Sequence, residues 1–115
     1  MKLIIAGSRD LEIIGRKIHV YMIRFELFDV QEVVSGRSGN VDIAGEVWAK
    51  YHGVKIKPFE ADWGKHGKPA GPIRNALMAD YGDELLLVWD GKSKGSANMK
   101  KVMEYAGKPV HEAVI

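Results

Sequence analysis

The 115-residue sequence contains no cysteine. That removes disulfides, iron–sulfur clusters, thiolate zinc sites and cysteine nucleophiles, and it suits a reducing compartment. The four histidines, His19, His52, His66 and His111, are scattered. None forms a close ligand pair such as His-x-x-x-His, so no metal site is expected. Long apolar runs are missing as well: Met1 to Ala6 turns polar at once. It is too short for a signal peptide or a membrane span, and a cytoplasmic protein with no membrane partner is expected. Charge of one sign is scarce, since 17 Lys and Arg oppose 15 Asp and Glu for a net charge of +2. Nonspecific polyanion binding does not follow from so small an excess. A nucleic-acid role would rest on one local cluster, Lys92, Lys94, Lys100, Lys101 and Lys108, opposed within that stretch only by Glu104.

Two phosphate-binding fingerprints are also absent. The turn after the first apolar run, Ala6-Gly7-Ser8-Arg9-Asp10, has one glycine where dinucleotide binding needs G-x-G-x-x-G, which argues against an NAD dehydrogenase. Gly91-Lys92-Ser93 resembles the end of a Walker A loop, but the residue five places before Gly91 is Leu86. ATPase or kinase chemistry thereby loses its main support, and no cofactor is implied.

What the sequence does contain is an ordinary globular mixture, 46% hydrophobic and 28% charged, at a length that suits one domain over residues 1–115. Short apolar or β-branched runs at Lys2 to Ala6, Gln31 to Val34, Val54 to Phe59, Glu84 to Trp89 and Pro109 to Ile115 read as strands. Between them, apolar residues recur at three- and four-residue spacing: Ile14, Ile18, Tyr21, Met22 and Phe25; Val41, Ala44, Trp48 and Tyr51; Ile73, Ala76 and Leu77; Met99, Val102, Met103 and Ala106. Pro72 suits the first turn of the third of these helices, and Gly107 can end the fourth. Strict alternation predicts an α/β protein: a Rossmann-like three-layer α/β/α sandwich around a parallel five-stranded sheet. Ala61 to Pro72 is a longer, glycine-punctuated connection that could serve as a lid.

Such sheets bind ligands beyond the carboxyl ends of their strands, where the strand-to-helix turns gather. Two of those turns are rich in glycine, Ser35-Gly36-Arg37-Ser38-Gly39-Asn40 and Asp90-Gly91-Lys92-Ser93-Lys94-Gly95-Ser96. Glycine lets backbone approach a ligand, and the N–H groups opening the next helix attract anions; glycine also simply makes tight turns. Arg74 is expected in the first turn of the third helix, where the macrodipole disfavours a cation, so it either faces an anion or pairs with Asp62 or Asp80. Arg9 invites the same comparison. Asp42 has two readings, a partner for a ribose hydroxyl or a helix-terminus residue, and Glu46 shares the ambiguity. Asp90 either orients a ligand hydroxyl or forms the turn. Trp48 and Trp89 are assigned to the core, whereas Trp63 sits at a strand end where it could stack on a base. Lys65, His66 and Lys68 lie in the lid segment and could close over phosphates.

The motifs Ala6-Gly7-Ser8-Arg9, Val34-Ser35-Gly36 with Gly39, Asp42 and Gly45-Glu46, Ala61-Asp62-Trp63, Ala70-Gly71-Pro72-Ile73-Arg74-Asn75 and Trp89-Asp90-Gly91-Lys92-Ser93-Lys94-Gly95-Ser96 resemble the SLOG superfamily. The likeness is to its small YspA-like group (DUF2493) and covers nearly the whole chain. It implies a Rossmann-like domain of the kind found in bacteria and phages, often a homo-oligomer, that binds nucleotides, nucleotide-derived signals or, in the DprA branch, nucleic acid. The related LOG phosphoribohydrolases join a helical arginine to a P-G-G-x-G-T-x-x-E motif. Arg74 matches the first element and Gly95-Ser96 the Gly-Thr pair, but Met99 stands where the glutamate would be. A thioether cannot support an oxocarbenium-like centre or activate water.

The expectation is therefore a binding module for a nucleoside phosphate or ADP-ribose-like ligand. Gly7, Ser8, Arg9, Ser35, Gly36, Gly39, Asp42, Arg74, Asn75, Asp90, Gly91, Ser93, Gly95 and Ser96 would form the site. The alternatives are an N-glycosidic hydrolase using Arg74 with Glu46 or Asp90, and DprA-like nucleic-acid binding.

Overall fold

The computed structural model describes all residues, 1–115. In chain order the elements are β1 (Lys2–Gly7), α1 (Gly15–Arg24), β2 (Glu32–Ser35), α2 (Asn40–Tyr51), β3 (Lys55–Pro58), α3 (Trp63–His66), α4 (Ala70–Tyr81), β4 (Glu84–Trp89), α5 (Lys94–Tyr105) and β5 (Val110–Val114). The five strands form one parallel sheet in the order β3-β2-β1-β4-β5. Since the connections leave no hairpins, each strand must return through a helix packed on a sheet face, as the alternation predicts.

Side chains alternate across the central strands, and the two faces build two cores. Leu3, Ile5, Val33, Leu86 and Val88 meet Ile18, Met22, Val41, Ala44 and Trp48, so α1 and α2 cover one face. Ile4, Ala6, Val34, Leu85, Leu87 and Trp89 meet Met78, Ala79, Met99 and Met103, so α4 and α5 cover the other. With helices on both sides, Leu3 to Ala6 and Leu85 to Trp89 are buried throughout, which is why both segments read as unbroken apolar runs. Trp48 and Trp89 are core residues as expected, and their indole N–H groups donate to His19 Nδ1 (3.1 Å) and Glu112 Oε2 (2.7 Å).

Beyond β1 the chain runs to one edge of the sheet and beyond β4 to the other, so strand order reverses between them. The carboxyl ends of β1 and β4 therefore diverge into loops and helices on opposite sides, leaving a crevice at that point. Gly7, the last residue of β1, permits the crossing. A Cβ there would fall on the Val88 carbonyl and within 2.9 Å of Val41 Cγ2, so no other residue fits between β4 and the start of α2.

The Ala61 to Pro72 connection contains a feature that periodicity did not show. Trp63–His66 forms a single helical turn, with Asp62 Oδ1 accepting from Lys65 N at 3.0 Å, and α4 already begins at Ala70. Four residues are too few to display a helical repeat. No helix is long and apolar enough to cross a membrane.

Candidate functional site

At the reversal point lies a cleft of about 370 Å³ between the end of β1, the start of α2, α4 and the opening of α5. Arg9, Arg74 and Lys94 line it against a single carboxylate, Asp42, so its lining carries an excess of positive charge. Met78 and Met99 also line it; both are almost fully buried and form an apolar floor.

Arg74 is the most constrained cation. It is 8% exposed; its Nε donates to Asn75 Oδ1 at 2.9 Å and its Nη1 to the Gly36 carbonyl at 2.7 Å. Its Nη2 donates to no protein group and is not sealed from solvent, which leaves that nitrogen for the cleft. Burial pulls the Arg74 pKa down, opposed by the nearby Asp42 and reinforced by Arg9. The residue is nonetheless a permanent cation at any ordinary pH. Because α4 starts at Ala70, Arg74 sits one turn inside the helix and not in its first turn, so the macrodipole argument falls away. Neither Asp62 nor Asp80 pairs with it.

The glycines of the β2–α2 turn serve these arginines instead of lining the cleft. A Cβ on Gly36 would lie 2.9 Å from Arg74 Nη1, and one on Gly39 would lie 2.5 Å from Arg9 Cα. Asn40 N also donates to the Arg9 carbonyl at 2.9 Å. The turn thus seats Arg74 on one side and holds the Arg9 backbone on the other. Ser35, buried beneath it, donates to Glu46 Oε2 at 2.7 Å, and Glu46 also accepts from Arg37.

The opening of α5 supplies the second half of the site. Ser93 caps the helix through its Oγ, which accepts from Ser96 N at 3.4 Å. The N–H groups of Lys94 and Gly95, the first two helical residues, have no protein acceptor. Between them and the cleft floor, Ser96 is 4% exposed and its Oγ has no hydrogen-bond partner. A buried unpartnered hydroxyl costs about 1–3 kcal/mol, and this one belongs to a residue of the cleft wall.

The carboxylates separate by role. Asp90 Oδ1 accepts from Lys92 N (2.8 Å) and Ser93 N (2.9 Å), bonds that hold its pKa below the ordinary value and identify it as the turn former. Neither Asp90 nor Glu46 lines the cleft. Asp42 does; its Oδ2 accepts from Ser38 N and Ser38 Oγ at 2.9 and 3.0 Å, so it braces the turn from inside. Burial pushes the Asp42 pKa up, more than the Ser38 bonds and Arg74 pull it down. A carboxyl whose pKa is higher folded than unfolded makes stability fall as pH rises through that interval. Asp42→Asn, whose amide oxygen can still accept from Ser38, is expected to melt above the wild type at pH 7–8. The gap should close as pH falls from the raised folded-state value to the ordinary aspartate value, as melting curves across pH will show.

Of the residues anticipated from sequence, Gly7, Arg9, Asp42, Arg74, Asn75, Ser93, Gly95 and Ser96 come together in the cleft. Ser8, Ser35, Gly36, Gly39, Asp90 and Gly91 stand behind it. Ser8 Oγ accepts from Asp90 N at 3.0 Å and so ties the β1 and β4 loops together. Asn75 lines the cleft, yet its side chain is engaged with Arg74, Asn98 (2.9 Å) and the Gly95 carbonyl (3.3 Å), making it the brace between α4 and α5. Sequence reasoning did not single out Ser38 or Asn98 for the site. Asn98 lies one helical turn beyond Lys94, an offset that places both on one face of α5.

Fold and cleft together define a Rossmann-like α/β protein whose switch-point crevice is built from cations, free helix-opening N–H groups and an unpartnered hydroxyl. No family model matches the chain. It is 33% identical over 84 residues to the Gene 61 protein of Mycobacterium phage D29, covering 68% of this chain and 67% of that protein, and it belongs to the same family.

Proposed function

We propose that the cleft binds a nucleotide-derived ligand through its phosphate, in a small SLOG-type binding module. The observation that carries this reading is Ser96 Oγ, buried without a partner at the opening of α5 beside the free Lys94 and Gly95 N–H groups. A phosphate there would accept from both amides and, once the Ser96 side chain turns about χ1 toward the cleft, from its hydroxyl, with the helix dipole in its favour. Arg74 Nη2 and Arg9 would balance its charge from the opposite wall. The volume is at the lower end of small-molecule sites, which suits one nucleotide better than a dinucleotide.

Binding is favoured over hydrolysis because Met99, 1% exposed, forms part of the apolar core where LOG-type enzymes carry an acid, and Glu46 and Asp90 are engaged away from the cleft. The lysine cluster gives little support to nucleic-acid binding. Lys108 Nζ donates to the carbonyls of Ala79, Asp80 and Gly82 at the end of α4, and Lys100 pairs with Glu112 at 3.0 Å.

Thermal melting of wild type and Ser96→Ala with and without AMP tests the reading. Without ligand the variant should melt a few degrees higher, having lost an unpartnered hydroxyl. AMP at a hundred times its dissociation constant should stabilise the wild type by about 2.7 kcal/mol. Its affinity for the variant should fall about tenfold, the loss of one hydrogen bond to a charged group. No stabilisation of the wild type by AMP, ADP-ribose or inorganic phosphate would refute the proposal. Chromatography of the same mixtures should recover AMP intact; released adenine would instead favour the hydrolytic reading, with Asp42 as the carboxylate at hand.

A further inference from the structure

Two of the three tryptophans are buried with bonded indole N–H groups; Trp63 differs in every respect. It is 51% exposed, its Nε1 has no protein acceptor, and it opens a helix with no buried residue. It nevertheless lines the cleft, where it is the one aromatic side chain. Its ring lies over Gly71, the second residue of α4: a Cβ there would meet Trp63 Cη2 at 3.2 Å. The indole is thus backed by the helix that carries Arg74, while half its surface stays in water. Across the floor stand the buried thioethers of Met78 and Met99, soft groups that pack well against flat π-systems.

We infer that Trp63 is the specificity-determining residue of the cleft, the wall on which a flat aromatic base stacks, so that the site selects nucleotides over sugar phosphates. This rests on the phosphate reading above and adds the other end of the ligand. A phosphate held at Ser96 satisfies polar groups only; it leaves the half-exposed indole face uncovered. An aromatic ring covers it by stacking, without needing hydrogen-bond partners. The turn that carries the indole is held by its own capping bond and has no buried side chain.

Calorimetric titration of the full chain and of Trp63→Phe and Trp63→Ala with AMP, ribose 5-phosphate and inorganic phosphate tests this. The wild type should bind AMP about 5- to 150-fold more tightly than ribose 5-phosphate, the range of one base-stacking contact. Trp63→Ala should erase that preference and leave ribose 5-phosphate binding unchanged; Trp63→Phe should retain most of it. Equal binding of AMP and ribose 5-phosphate by the wild type, or equal weakening of both in Trp63→Ala, would overturn the role of Trp63 while leaving the phosphate site standing. If none of the three ligands binds, the phosphate reading fails and the stacking role fails with it.

Discussion

Arg74→Met is expected to lower the affinity for AMP by about a hundredfold or more while leaving the sheet intact. The guanidinium is held by the Gly36 carbonyl and Asn75 Oδ1, so its free nitrogen is fixed before any ligand arrives and little ordering remains to be done on binding. Removing one partner of a desolvated charge pair typically costs 2–5 kcal/mol or more. Arg74→Lys should recover only part of the loss, because an ammonium is a point charge and cannot hold both anchoring bonds while reaching the ligand. Circular dichroism should be unchanged in both variants, because Arg74 belongs to neither apolar core. Calorimetry with AMP gives the affinities. Binding by Arg74→Met within threefold of the wild type would place the ligand elsewhere.

The second large effect is on stability. Gly7→Ala should destabilise the chain by at least about 3 kcal/mol, at the top of the range for overpacked cores. Most added methyl groups are absorbed by rotation of a neighbouring side chain. Here the nearest obstacle is the Val88 carbonyl of the paired strand, and the next is Val41 at the start of α2. The β1–β4 register and the seat of α2 would both have to shift, and both determine the cleft. A compact but expanded state, or failure to express, is the expected outcome, checked by urea unfolding. Gly95→Ala makes the contrast: a Cβ there meets nothing within 4 Å, so its stability should stay close to wild type.

The layered architecture was legible because buried central strands and amphipathic helices leave different periodicities, and these alternate along the chain except for the short α3 turn before α4. The helix-opening half of the site was legible too, since Ser93, Gly95 and Ser96 occupy a strand-to-helix turn where a cap and free N–H groups must fall. The β2–α2 turn was harder. Gly36 and Gly39 announce that something approaches the backbone closely, and sequence does not say whether it is a ligand or another part of the protein. The close neighbours are Arg74 and Arg9, from elements distant in sequence. Glu46 presents the same difficulty: it is engaged by Ser35 and by Arg37, which sits in the turn with a positive φ of 51°, a conformation that residue type gives no reason to expect.

The central claim, that a phosphate sits at the opening of α5 in this cleft, is tested most directly by amide chemical shifts of the labelled chain on titration with AMP. The largest perturbations are expected at the Lys94, Gly95 and Ser96 amides, accompanied by the Trp63 indole and the Arg74 side chain, with Gly107 and the distant end of the sheet unmoved. Saturable shifts confined to some other surface, or no shift at Gly95 and Ser96 at millimolar AMP, would contradict it.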